Sequence, residues 1–157
     1  MQKHIYETRL EWTGGRRAVL AAEGLPALEV ATPPEFPGGQ AGVWSPEHLF
    51  TAAAEACLMT TFLAIAESSK LAFDSYGSSA EGTLEMTDTG LLMTRITLRP
   101  EIVVADPGQI DRAQRVLEKA ERHCLISNSM RTRVELLPRI SARALQAPGE
   151  AGVDRQL

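Results

Sequence analysis

Two cysteines are the side chains of this chain best suited to nucleophilic or redox chemistry. Cys57 lies within a long apolar run, and Cys124 follows a second run with helical spacing far along the chain. Their separation excludes a CxxC motif. Two interpretations fit: inert buried thiols that pack as small hydrophobic groups, or a peroxide-reducing pair. In such a pair one thiolate attacks the O–O bond, and the second thiol captures the sulfenic acid as a disulfide.

A thiolate inside an apolar helix needs a cation beside it, because burial disfavours its charge. Arg16 and Arg17, in a glycine turn near the start of the chain, are the candidates. Glu47, which precedes Cys57 in the same apolar run, is the carboxylate available to hold such an arginine in place. Plain structural roles also fit: a solvated turn for the arginines, and for Glu47 an acid favoured by the helix dipole.

The spacing between Glu47 and Cys57 bears on how they could share a site. They are ten residues apart in one predicted helix, which separates them by about 15 Å along its axis. A carboxylate at that distance does not steer an arginine onto the sulfur of its own chain. If the two residues serve one site, the simplest arrangement is two chains that each supply one part. The spacing therefore indicates a homodimer with composite sites.

The stretch from Ser45 to Lys70 must position these groups, and it predicts one long helix. Ser45 is a good N-cap, and Pro46 suits the first helical position, where its missing N–H costs nothing. The run is apolar nearly all round, which is typical of a helix in a membrane or inside a globule. Glu55, several threonines and the high alanine content argue against a membrane span. We therefore expect a central buried helix and no membrane.

The remaining elements predict an α+β fold with an antiparallel sheet. Alternating apolar and polar residues predict strands, Asp106-Pro107 opens a second, amphipathic helix that ends near His123, and two segments are predicted to be irregular. The strands are placed at 4–12, 16–22, 28–31, 72–87, 91–104 and 134–140, and the irregular segments at 32–42 and 125–129. Residues 1–140 form one domain, and residues 141–157 form a polar tail predicted to be mobile.

Composition excludes several classes of function. The chain has 157 residues and a net charge of −4, which argues against nonspecific binding to nucleic acid or to an anionic membrane surface. The first residues contain no apolar leader, which predicts a cytoplasmic chain. A permanent structural disulfide is not expected in that compartment.

Four groups of residues together carry a likeness to a known family. They are Thr13 to Arg16; Thr32-Pro33 with Phe36 and Gly38-Gly39-Gln40; Ser45 to Phe50 with Ala53-Ala54 and Ala56-Cys57; and Cys124 to Ser129. In these positions the chain resembles the OsmC/Ohr family of thiol-dependent organic hydroperoxide reductases. The resemblance runs over residues 3–138, nearly the whole chain before the tail.

The resemblance implies a fold and a mechanism. Family members are intertwined homodimers in which antiparallel sheets wrap two long central helices. By similarity, Cys57 is the peroxidatic thiol and Cys124 the resolving thiol. Arg16 matches the arginine that activates the thiolate, and Glu47 matches the acid that orients this arginine from the partner chain. No cofactor or metal is implied.

The resemblance also indicates the substrate and the reductant. The family reduces alkyl and fatty-acid hydroperoxides, and many members are re-reduced by dithiols, notably lipoyl groups on proteins. Phe36, Trp44 and Phe50 are candidates for an apolar mouth that binds the organic tail, with core or dimer contacts as the alternative. The arginine turn is shorter than in Ohr-type members, so Arg17 competes with Arg16. Leu125 replaces the usual Ohr-type proline, which leaves the branch, the preferred peroxide and the reductant open.

Two other functions remain as alternatives. Cys57, Cys124 and a histidine would supply zinc ligands, but zinc sites usually contain close ligand pairs, and the only such pair here is the adjacent His123 and Cys124. His48 and His123 are expected to have packing or solvent-facing roles. The second alternative is a family member that senses peroxide, or binds an apolar ligand, without efficient turnover.

Overall fold

The computed structural model describes residues 2–143, and over them the predicted α+β architecture is confirmed. The first three strands form one antiparallel sheet, a long hairpin and two short strands form a second, and three α-helices join or cover the strands. The bounds are β1 Arg9–Gly14, β2 Arg17–Ala21, β3 Leu28–Ala31, α1 Pro46–Ser68, β4 Phe73–Thr87, β5 Gly90–Val104, α2 Ile110–His123, α3 Leu125–Ser129, β6 Arg133–Leu136 and β7 Arg139–Ala142.

Helix α1 begins as its sequence predicts. Ser45 is the N-cap, and its hydroxyl accepts a hydrogen bond from the backbone N–H of His48 at 3.3 Å. One face of α1 packs into the core through Ala54, Leu58, Phe62 and Ala66.

The opposite side of α1, here called the open face, is apolar but exposed in the single chain. Its residues are Ala53, Ala56, Met59, Thr60, Leu63 and Ala64. The predicted central helix is thus buried along one face only. By length and composition alone α1 could also cross a membrane, a test that core helices of soluble proteins pass as well.

The second sheet differs from the sequence prediction in its last strands. The single strand expected at 134–140 is two strands, because Pro138 lies between them and has no N–H to donate. Both β6 and β7 pair with β5 in parallel, with Ile96 opposite Val134 and Ile102 opposite Ile140. A parallel pair needs a crossover connection, and α2 with α3 supplies it. Strand β5 therefore pairs antiparallel with β4 and parallel with β6 and β7.

The first sheet stands apart from this core. Of its strand residues only Val30 and Ala31 are buried, and the apolar side chains Leu10 and Trp12 of β1 are largely exposed. A bridge from Val30 to Trp44 links it to the segment before α1. The first predicted strand starts at Arg9 rather than at residue 4, and residues 125–129 form the short helix α3. Residues 141 and 142 belong to β7, and residues 144–157 of the predicted tail lie outside the described residues.

Candidate active site

The structure brings the two cysteines together. Cys57 lies in the middle of α1, and Cys124 lies at the junction of α2 and α3, where its extended backbone ends one helix and caps the next. Both are buried and reduced, with exposed fractions of 8% and 1%. Burial is the largest cause that raises the pKa of Cys124, and the Cys57 thiol lies close enough to raise it further. The two thiols are therefore neighbours within one chain.

Cys124 has a defined polar environment. Its Sγ lies 3.1 Å from the hydroxyl of Ser127 and 4.0 Å from the carbonyl oxygen of Ala54. Burial is the main cause that raises the pKa of the Cys124 thiol above its ordinary value, while hydrogen bonds from the Ser127 side chain and backbone act in the opposite direction. The Cys124 sulfur is therefore held in a specific contact and not only packed as an apolar group.

Glu47 lines a separate cavity of about 490 Å³. The cavity lies between the first turns of α1, the loop before it and the β4–β5 hairpin. One carboxylate oxygen of Glu47, Oε2, is buried and has no hydrogen-bond partner among residues 2–143. Leaving a buried acceptor unpaired is costly. This oxygen is thus suited to receive a donor that the described chain does not provide.

The three aromatic residues proposed for the substrate mouth occupy two different places. Phe36 and Trp44 line the Glu47 cavity. Phe50 instead packs against the buried core cluster and does not reach the cavity. The loop that carries Phe36 is irregular, as its sequence predicts, and closes on itself through backbone hydrogen bonds such as Gly39 N–H to the carbonyl of Phe36 at 2.9 Å.

The two candidate arginines differ in their partners. Arg17, at the start of β2, makes an ion pair of 3.0 Å with Glu29 on the neighbouring strand β3. Arg16 is exposed and makes no ion pair within the part of the chain that the structure describes. Its side chain runs along the loop at Gly38, where an added Cβ would lie 3.3 Å from Arg16 Cγ. Of the two arginines, Arg16 is therefore the one without an ion-pair partner among the described residues.

The cysteine pair and the Glu47 cavity are distinct sites within one chain. Helix α1 is continuous from Pro46 to Ser68, so Glu47 and Cys57 are about 15 Å apart along its axis. Neither cysteine lines the cavity. Across residues 2–143, no arginine or lysine donates a hydrogen bond to either sulfur. The structure brings Cys57 to Cys124, and Phe36 and Trp44 to Glu47, but does not join the two groups.

The histidines have ordinary structural contacts. His48 Nδ1 lies 2.8 Å from the hydroxyl of Ser45, and its ring meets the edge of Trp44. His123 Nδ1 lies 2.8 Å from the carbonyl oxygen of Lys119, one turn earlier in α2. Over residues 2–143 no three histidine, cysteine, aspartate or glutamate side chains cluster closely enough to hold a metal ion.

Two residues near the cysteines were assigned no role from the sequence. Ser127 follows the cap residue Cys124 by three positions, a spacing at which side chains at a helix start face each other. That spacing is the sequence feature from which the contact could have been predicted. Tyr76 on β4 has a buried hydroxyl with no partner among the described residues. Burial, and then the nearby charges of Glu55 and Cys124, raise the pKa of Tyr76 to about 12. Nothing in the strand pattern around Tyr76 indicated this proximity.

Comparisons with known proteins agree with this fold. A family model described as OsmC-like protein matches residues 39–137. The uncharacterized protein YmaD of Bacillus subtilis (strain 168) is 28% identical over 140 residues, which cover 87% of this chain and 93% of the relative.

Solved structures show the same likeness. An OsmC-like protein of unknown function from Vibrio cholerae is 22% identical with a TM-score of 0.79, covering 87% of this chain and 99% of that one. An organic hydroperoxide resistance protein from Legionella pneumophila is 27% identical with a TM-score of 0.68, covering 90% and 100%. A third, an organic hydroperoxide resistance protein from Elizabethkingia anophelis, is 24% identical with a TM-score of 0.72, covering 90% and 99%.

Proposed function

Because this chain belongs to the OsmC-like protein family, we propose that it is a cytoplasmic, thiol-dependent peroxidase that reduces organic hydroperoxides to alcohols. The observation that carries the proposal is the pair of buried, reduced thiols of Cys57 and Cys124, which face each other between α1 and α3. Organic hydroperoxide resistance proteins among the structural relatives support the substrate class.

The proposed cycle has three steps. The Cys57 thiolate attacks the distal oxygen of the hydroperoxide, the O–O bond breaks, and the alkoxide leaves and takes a proton to become the alcohol. Cys57 is then a sulfenic acid. Cys124 attacks the sulfenic sulfur, an S–S bond forms, and hydroxide leaves with a proton as water. An external dithiol, such as a protein-bound lipoyl group, reduces the disulfide and is itself oxidised.

We further propose that the active site is shared between two chains. The Cys57 thiolate needs a cation, and Glu47 has a buried carboxylate oxygen that needs a donor. A guanidinium held by the Glu47 of one protomer and directed at the Cys57 of its partner would satisfy both. Arg16 fits this role better than Arg17, which already pairs with Glu29. The open face of α1 is the apolar surface available for the association.

The Glu47 cavity would then receive the organic tail of the substrate. Phe36 and Trp44 supply aromatic surface beside the carboxylate, and apolar surface favours an alkyl or aryl group over hydrogen peroxide. Phe50 packs in the core, and its role in substrate binding remains a prediction.

Steady-state consumption of cumene hydroperoxide with dihydrolipoamide as reductant tests the activity. We expect turnover that exceeds that with hydrogen peroxide, and loss of turnover in Cys57→Ser. Cys124→Ser should still release about one equivalent of alcohol, because only the resolving step is removed. Oxidation of the unaltered protein that stops after one equivalent would instead indicate a peroxide sensor or ligand-binding protein.

Mixed dimers test the shared site. A dimer of one Cys57→Ser chain with one Glu47→Ala chain keeps one intact combination of Cys57 and Glu47 only if these residues act across the interface. We expect such dimers to regain activity that neither parent variant shows. Inactive mixed dimers would mean that Glu47 does not act on the partner's thiol.

A further inference from the structure

The contact between Ser127 and Cys124 has no part in the cycle described above. The Ser127 hydroxyl lies 3.1 Å from the Cys124 sulfur, within the range of a hydrogen bond to sulfur. Cys124 is 1% exposed, so water does not readily take the place of this donor. The backbone of Ser127 also donates toward the same sulfur.

The second serine of helix α3 behaves differently. Ser129 donates its hydroxyl hydrogen to the carbonyl oxygen of Leu125 at 2.7 Å, an ordinary bond between residues four apart in a helix. Ser129 is exposed. The Ser129 hydroxyl thus bonds to the helix backbone, whereas the Ser127 hydroxyl lies against the Cys124 thiol. Ser129 is therefore a matched control for Ser127.

A buried thiol reacts slowly unless its thiolate is stabilised, because the thiolate is the nucleophile. The titratable groups that face Cys124 from neighbouring elements are Cys57 on α1 and Tyr76 on β4. Burial and, after it, the Cys57 thiol disfavour a negative charge on the Cys124 sulfur, and Tyr76, with its pKa raised to about 12, carries no charge near neutral pH. Among the interactions that the structure describes, the hydrogen bonds from Ser127 are those that favour the charge.

We propose that Ser127 is a positioning residue for the resolving step, which rests on the proposed function. Its hydroxyl donates to the Cys124 sulfur, stabilises the thiolate and holds it toward Cys57. The proton that Cys124 loses goes to solvent. The thiolate then attacks the sulfenic sulfur of Cys57, the S–S bond forms, the S–O bond breaks, and the leaving hydroxide takes a proton to become water. The oxidant is the sulfenic acid left by the peroxide.

A titration that involves no peroxide tests the contact itself. In a Cys57→Ser background Cys124 is the single remaining cysteine, and the ultraviolet absorbance of thiolate, after subtraction of the tyrosinate signal recorded at longer wavelength, reports on Cys124 as the pH is raised. A hydrogen bond to a charged group is strong enough that Ser127→Ala should move the titration midpoint upward by about one pH unit or more. Ser127→Thr should restore the original midpoint, and Ser129→Ala should leave it unchanged. Equal midpoints for Ser127→Ala and Ser129→Ala would overturn the inference.

Single-turnover kinetics test the consequence for catalysis. With one equivalent of cumene hydroperoxide, Ser127→Ala should release alcohol at the unaltered rate but form the disulfide roughly threefold more slowly near pH 7, since the tenfold loss of thiolate is partly offset by its higher nucleophilicity. Dimedone should trap the sulfenic acid in the interval. This lag should shorten as the pH rises. Unchanged disulfide formation would overturn the inference, and Ser127→Gly provides a second deletion of the hydroxyl if the alanine variant does not fold.

The two proposals fail in different ways. If the unaltered protein releases no alcohol from the hydroperoxide, the proposed function is wrong. The Cys124 titration still gives an answer in that case, because it requires no substrate. If alcohol is released and the titration is insensitive to Ser127, the function stands and the role of Ser127 does not.

Discussion

Phe62 and Leu63 are neighbours on α1 that lie on different faces of the helix, one buried and one exposed. Substitution of Phe62 therefore tests the stability of the chain, and substitution of Leu63 tests the association of two chains. Phe62 is 0% exposed, and its ring contacts those of Phe73 and Tyr76 at centroid distances of 5.4 and 5.1 Å. Leu63 is 39% exposed and lies on the open face. We expect Phe62→Ala to weaken the fold of each chain, and Leu63→Ala to weaken the proposed dimer.

The two effects differ in size and kind. Removing a fully buried phenylalanine leaves a cavity and should lower the free energy of unfolding by about 3–5 kcal/mol. For Leu63, only the exposed 39% remains to be buried by a partner. Complete burial of a leucine side chain contributes about 1.5–3 kcal/mol, so this share is roughly 0.6–1.2 kcal/mol per chain. A symmetric dimer buries it twice, which corresponds to a dissociation constant weakened by about 7- to 50-fold.

Sedimentation equilibrium over a wide range of protein concentration measures the dissociation constant, and urea denaturation at several protein concentrations measures the free energy of unfolding. Leu63→Ala should shift the monomer–dimer equilibrium toward monomer and make the denaturation midpoint less dependent on protein concentration. Phe62→Ala should lower the midpoint at every concentration. A monomeric protein at all concentrations, or a dissociation constant for Leu63→Ala within twofold of the original, would refute the assignment of the open face as the dimer surface.

Two further predictions concern the loop and the buried tyrosine. An alanine Cβ at Gly39 would lie 1.9 Å from the carbonyl oxygen of Pro33, so Gly39→Ala should cost about 1–3 kcal/mol in urea denaturation, whereas Gly77→Ala, which meets no atom within 4 Å, should cost little. Since the pKa of Tyr76 is raised to about 12, the folded state holds this proton more tightly, and the free energy of unfolding should fall as the pH rises from about 10 toward 12. Tyr76→Phe should reduce that fall, and Tyr6→Phe should not. If the free energy of unfolding depends on pH in the same way in both variants, Tyr76 is not the source of the fall.

The parts of the fold that depend on local chemistry could be predicted from the sequence. Ser45 and Pro46 mark the start of α1 because capping depends on neighbouring residues alone. The hairpin turn lies in the gap between the strands predicted at 72–87 and 91–104, and Gly90 there has the positive φ of 112° that favours glycine. The amphipathic character predicted for the second helix is confirmed by the buried residues of α2, which recur at helical spacing: Ala113, Val116, Leu117 and Ala120.

Features that depend on distant contacts could not be predicted in this way. The residues of β6 alternate in the same manner whether the strand runs parallel or antiparallel to β5, so the alternation carries no information about direction. The meeting of Cys57 with Cys124 likewise depends on how α2 returns the chain to α1. Their proximity was expected from the family resemblance and not from spacing.

Three features of the described chain point to the same missing element. Glu47 has a buried carboxylate oxygen without a donor, α1 presents an apolar open face, and β1 exposes Leu10 and Trp12. Each is unfavourable for an isolated chain, because an unpaired buried acceptor and exposed apolar surface both cost free energy. Because α1 is one continuous helix, Glu47 cannot hold a guanidinium against Cys57 of its own chain. In the proposed dimer, a second copy would supply a guanidinium, cover an apolar face and pack against the free sheet in a single association, so the same contact would complete the proposed active site and bury α1.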